Sequence, residues 1–70
     1  MERYLNRSGN SPITYYQIEE TCIIVWFGAK SYTYSYRKAG RIHVETMKSL
    51  ARSGSGLSAY ITRNVRNDYD

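Results

Sequence analysis

A single cysteine, Cys22, excludes an internal disulfide, and a single histidine, His43, leaves too few Cys and His ligands for a four-ligand zinc site. Cysteine usage of this kind fits a cytosolic, reducing compartment. Long hydrophobic runs are also missing. The longest, Cys22 to Phe27, falls far short of a membrane span. Met1 to Arg7 holds no apolar stretch, which argues against a secretory leader. There are no internal repeats and no low-complexity tract. Ser53-Gly54-Ser55-Gly56 lacks the lysine and the preceding strand of a phosphate-binding loop, so it reads as a link between helices. No metal or cofactor is expected.

What the chain does have is tyrosine and positive charge. Eight of its 70 residues are tyrosine, and the formal net charge is +4. The basic surplus is confined to the second half. Residues 1–36 balance Arg3, Arg7 and Lys30 against Glu2, Glu19 and Glu20. Residues 37–70 set Arg37, Lys38, Arg41, Lys48, Arg52, Arg63 and Arg66 against Glu45, Asp68 and Asp70. A basic half suits an anionic partner such as nucleic acid, or simply a solvated surface.

Hydrophobic periodicity divides the chain in two. Residues 1–10 read as a flexible leader, closed by Ser8-Gly9-Asn10-Ser11-Pro12, and residues 11–70 as one domain. Ile13 to Ile18 is strand-like, and Glu19-Glu20-Thr21 suits a turn. Cys22 to Phe27 is apolar on both faces and reads as a central strand. After Gly28-Ala29-Lys30, the alternation Tyr32-Thr33-Tyr34-Ser35-Tyr36 marks a third strand with its tyrosines on one face. An antiparallel three-stranded meander follows from this order. Beyond the loop Arg37-Lys38-Ala39-Gly40 the period becomes helical. Val44, Met47, Leu50 and Ala51 share a face within Ile42 to Ser53, with Lys48 and Arg52 expected on the outer side. Gly54 suits a left-handed cap and Ser55 the start of a second helix. Leu57, Tyr60, Ile61, Asn64 and Val65 then line a face through about Arg66. The expected fold is α+β, in the order β-β-β-α-α, with both helices on one face of the sheet. A stability margin of roughly 3–5 kcal/mol is expected for a chain of this size.

Loop parity decides where the tyrosines point. An even hairpin loop between the second and third strands puts Tyr32, Tyr34 and Tyr36 with Val25, under the helices. It leaves Ile24 and Trp26 on an open face beside Thr33 and Ser35. An odd loop reverses this. Even loops are favoured because two- and four-residue hairpins are common.

In this order the motifs resemble the KTSC domain, a small module at the C-terminus of some lysyl-tRNA synthetases and in free-standing bacterial proteins. The resemblance covers about residues 11–69. It rests on Ser11-Pro12-Ile13, Tyr15-Tyr16, the alternating Ile23, Val25 and Phe27, Tyr32-Thr33-Tyr34, the small-residue stretch Ala51 to Gly56, and Val65-Arg66-Asn67-Asp68-Tyr69. Where members carry Val-Pro after the paired tyrosines, this chain has Arg37-Lys38-Ala39-Gly40. The resemblance implies the α+β fold and, through the synthetases, RNA as a partner.

Two function classes remain. The first is a non-enzymatic module for RNA or another polyanion, with Tyr32, Tyr34 or Trp26 stacking bases and Arg37, Lys38, Arg41, Arg52, Arg63 and Arg66 meeting phosphates. Within it, Tyr32 and Tyr34 have an alternative as core residues, and Arg66 as a structural partner of Asp68, Asp70 or the terminal carboxylate. The second is a protein-interaction or self-associating domain using Ile24 and Trp26 on the open face. Catalysis has little support. Cys22 opens an apolar strand, nothing local brings His43 to it, and Glu19 and Glu20, being adjacent, point apart.

Overall fold

The computed structural model describes residues 1–70 as a four-stranded antiparallel sheet with a helical layer on one face. The strands are β1 (Glu2–Arg3), β2 (Ile13–Ile18), β3 (Cys22–Phe27) and β4 (Lys30–Ser35), in the spatial order β1-β2-β3-β4. Helix α1 (Arg41–Ser53) and the short α2 (Leu57–Tyr60) follow, and α2 runs on into a wider π-helical turn, Ile61–Val65. The α+β class and the meander therefore stand, with one strand more than the sequence pattern indicated.

The β3–β4 loop is even. Phe27 pairs with Lys30 across Gly28-Ala29, and Val25 pairs with Tyr32. Gly28 takes φ 66°, which a side chain would strain. Ile23, Val25 and Tyr34 consequently face the helices and are buried. β2 behaves differently. Ile13 pairs with Phe27 but Tyr15 pairs with Trp26, so Thr14 is an extra residue. Its hydroxyl donates to the carbonyls of Trp26 (3.3 Å) and Gly28 (3.1 Å). The bulge reverses the strand's parity, so that Ile13 and Tyr16 both turn inward while Tyr15 turns out.

Against this sheet face α1 packs Val44, Met47 and Ala51, and the last helical segment packs Leu57, Ile61 and Val65. Lys48 lies within the same stripe, four residues beyond Val44, and is buried rather than on the outer side. Its aliphatic stem fits the apolar surface. Its ammonium meets Glu45 at 2.9 Å and donates to the Glu20 carbonyl at 3.2 Å. Asn64, expected on the inner face, is exposed and donates to the Tyr60 carbonyl.

Residues 1–10 are not a free leader. Glu2 and Arg3 pair with Tyr16 and Tyr15, and Tyr4 enters the core. This segment also closes the helix junction. Gly54 ends α1 at φ 79°, its N–H bonded back to Leu50 and Ala51. Arg7 then donates its backbone N–H to the Gly54 carbonyl and its Nε to the Ser53 carbonyl, satisfying acceptors that a helix end leaves open. Gly56, not Ser55, precedes α2, and the Leu57 N–H finds the Tyr4 hydroxyl at 3.3 Å. A Cβ at position 54 would sit 2.6 Å from the Leu5 Cβ. Gly54→Ala combines that clash with left-handed strain and should cost about 2–4 kcal/mol in urea unfolding. An unchanged midpoint would mean that the N-terminal segment does not dock as described.

Candidate functional site

Three surfaces hold the chemistry: a cleft beside β4, the open sheet face, and the exposed cations. The cleft lies between β4, with Phe27 of β3 beside it, and the last helical segment. It measures about 420 Å³ and is lined by Phe27, Tyr32, Ile61, Arg66, Asn67 and Tyr69, with Tyr34 and Thr62 also at its wall. The C-terminal residues build one side. The Asp70 N–H donates to the Thr33 carbonyl at 2.8 Å, and Ser35 Oγ donates to the Asp70 carboxylate at 2.7 Å. These bonds fasten the tail to the outer edge of β4 and set the Tyr69 ring 4.7 Å from Tyr32 and 6.2 Å from Tyr34. Phe27 meets Tyr32 at 5.6 Å, and all three contacts are edge-to-face.

The two tyrosines singled out for stacking part company here. Tyr34 is 2% exposed. Burial, with Tyr32 and Tyr69 beside it, pushes its hydroxyl up to about 12. A ring so enclosed cannot present a face to a base, so Tyr34 belongs to the core and leaves the list of contact residues. Tyr32 is half-buried and keeps part of its ring at the cleft. Sequence spacing could not separate them, because both lie on the helix-covered face and alternation does not show how far the helical layer extends over each.

On the opposite face the pairing register sets out a row across the strands. Arg3 faces Tyr15, Tyr15 faces Trp26, and Trp26 faces Ser31. Gln17, Ile24 and Thr33 form the next row. None of these residues is buried, and no helix covers them. Tyr15 is 39% exposed, whereas Ile24 and Trp26 are half-buried by their neighbours. Ile24 and Trp26 therefore lie on the open face as the even loop requires. Sequence reasoning missed Arg3 and Tyr15. The bulge inverts the parity that Ile13 would give Tyr15, and a two-residue strand leaves no periodic signal. A hollow of about 530 Å³ adjoins the row between Arg3, Asn6 and Tyr15.

The cations do not form one patch. Arg37 and Lys38 are exposed in the turn after β4, and Arg41 opens α1 with its guanidinium 5.6 Å from the Tyr36 ring centre. Arg52 lies in the last turn of α1, about 16 Å along the axis from Arg41 at 1.5 Å per residue. Arg63 and Arg66 are exposed at the end of the chain's helical part, and only Arg66 borders the cleft. Lys48 is withdrawn from this set. Burial is the largest single influence and opposes its charge, but the bond to and charge of the Glu45 carboxylate, with Tyr36, together outweigh it, and its pKa is raised. Glu45 accepts from the Tyr36 hydroxyl as well as from Lys48, and these two bonds hold its carboxyl below the usual range. Lys48–Glu45 is the one ion pair of the fold. Asp70 takes Ser35 instead of Arg66, so Arg66 has no carboxylate partner.

The remaining reactive groups are kept apart. Cys22 sits on the open face opposite Ser35, and burial, then Glu19 and Asp70, push its thiol up, away from the thiolate. His43 Nδ1 lies 2.7 Å from the Tyr60 hydroxyl in the helical layer. No cluster of His, Cys, Asp or Glu gathers that could hold a metal ion, and no helix is long and apolar enough to cross a membrane. Comparison with family models, with curated proteins and with solved structures finds no match.

Proposed function

We propose that the protein is a KTSC-like, non-enzymatic binding module for RNA or another polyanion. One observation carries this reading. Of its ten lysine and arginine residues only Lys48 is in an ion pair, and the other nine are exposed. Unpaired surface cations are what a polyanion engages when it releases its counterions. The aromatic part of the reading moves from Tyr34 to Tyr15 and Trp26 on the open face and to Tyr32 at the cleft. An exposed tyrosine and a half-buried tryptophan paired across neighbouring strands, with Arg3 next to them, have the make-up of a base-stacking platform.

Fluorescence anisotropy with a labelled single-stranded RNA, repeated across a salt series, tests this. Log affinity should fall linearly with log salt, by roughly 0.7 per phosphate neutralised. The pair Arg63→Ala and Arg66→Ala should weaken binding for every RNA sequence and flatten that slope. Tyr15→Ala should cost about 1–3 kcal/mol of affinity with the slope unchanged. Binding that ignores both salt and the double substitution would remove the polyanion reading.

A second reading is favoured by the contiguous Tyr15, Ile24 and Trp26: a protein-interaction or self-associating surface. It predicts a concentration-dependent size on chromatography that persists at high salt, where a polyanion complex dissociates.

A further inference from the structure

We infer that the cleft beside β4 is a nucleotide pocket, holding one unpaired base against Phe27, Tyr32 and Tyr69 and its phosphate on Arg66. This rests on the polyanion reading and deepens it, giving one site a defined ligand: a nucleoside monophosphate, either free or as one unit of an RNA strand.

The three hollows of the molecule differ in what they offer. The one lined by Ser8, Asn10, Ser11, Ser55 and Gly56 has no charged side chain and no aromatic ring. The one beside β1 has Arg3 with Tyr15, but its other tyrosine, Tyr4, is buried. Only the cleft joins three partly accessible aromatic rings to a cation. At about 420 Å³ it falls within the range of roughly 300–1,000 Å³ usual for small-ligand sites.

The lining is divided by chemistry. Phe27, Tyr32, Ile61 and Tyr69 form an apolar and aromatic wall, while Thr62, Arg66 and Asn67 supply the polar groups. Arg66 is the only charged side chain among them, and no carboxylate answers it. A guanidinium in that position suits the two oxygens of a phosphate. Asn67 carries both a donor and acceptor, the complement a base edge requires. Phe27, Tyr32, Tyr34 and Tyr69 meet one another only edge-to-face, so no ring is stacked in parallel on another. A planar base supplies the parallel partner that the wall lacks. The tail bonds from Asp70 to Thr33 and Ser35 hold Tyr69 in place before any ligand arrives.

The test titrates the isotope-labelled full chain, followed by amide shifts, with adenosine and uridine monophosphates, the two nucleosides, inorganic phosphate, and a single-stranded RNA. The monophosphates should shift Tyr32, Thr62, Arg66, Asn67 and Tyr69 together. The nucleosides should shift Tyr32 and Tyr69 more weakly. Arg66→Ala should weaken the monophosphates by roughly 10- to 100-fold and leave the nucleosides unchanged, as expected for loss of a hydrogen bond to a charged group. Tyr69→Ala should weaken both. Both substituted residues are exposed, so the fold should survive. Shifts equally strong with phosphate alone, or monophosphate shifts outside the cleft, would overturn the pocket. RNA binding without cleft shifts would overturn the pocket and leave the polyanion reading standing, whereas silence from RNA as well would remove both.

Discussion

Tyr34→Ala should leave the chain largely unfolded at room temperature. The ring is 2% exposed, pairs across the sheet with fully buried Ile23, and borders Tyr69. Emptying a buried aromatic site costs about 3–5 kcal/mol through lost transfer energy and the cavity left behind. A 70-residue domain without staples has a margin of roughly the same size. Circular dichroism should show lost structure without denaturant. Tyr32→Ala is the informative contrast. Tyr32 is half-buried at the cleft, so its truncation should lower the unfolding midpoint without abolishing the fold. Two equally mild variants would mean that the helical layer does not cover Tyr34.

Alkaline pH should destabilise the protein through the same residue. Tyr34 is neutral in the fold up to about 12, because burial and then its tyrosine neighbours disfavour the phenolate. In the unfolded chain it ionises near its ordinary value of 10.0. Below pH 10 both states hold the proton and the contribution is fully present. Between 10 and 12 the unfolded state loses the proton first, so stability falls as pH rises, by about 2–3 kcal/mol for a shift of this size. Tyr16, raised by burial and then by Glu2, acts in the same direction. Stability measured by urea titration at stepped pH should therefore drop above 10, and Tyr34→Phe should make that drop smaller. An identical alkaline profile for wild type and Tyr34→Phe would place the sensitivity elsewhere.

Much of the fold was legible because short-range rules govern it. Gly28-Ala29 gives an even two-residue hairpin, and that loop alone puts Tyr32 and Tyr34 under the helices and Ile24 and Trp26 outside. Gly54 marks the end of α1 because only glycine takes its left-handed turn without strain. The misses came where one contact overrides a period. Thr14 adds a residue to β2 and turns Tyr15 outward, which hid the Arg3–Tyr15–Trp26 row. Lys48 occupies a core position of α1 at proper helical spacing, and its charge disguised that until Glu45, Glu20 and Tyr36 supplied its surroundings. The N-terminal residues look like a leader by composition, yet Tyr4 and Arg7 close the helix junction through bonds to residues some 50 positions away. Of the candidate site, the free cations and the open-face Trp26 were readable. The cleft was not, because its far wall, Tyr69, is placed by the tail's bonds to β4.

The central claim is tested most directly by titrating the labelled protein with bulk tRNA and with single-stranded oligonucleotides at low and moderate salt, following amide shifts. The expected result is salt-sensitive shifts at Arg37 to Arg41, Arg63 to Arg66, the Arg3–Tyr15–Trp26 row and Tyr32, with the interior around Val44 and Met47 unmoved. No shifts at low salt, where electrostatic binding is strongest, would contradict the account and turn the search to proteins that dock on the Trp26 face.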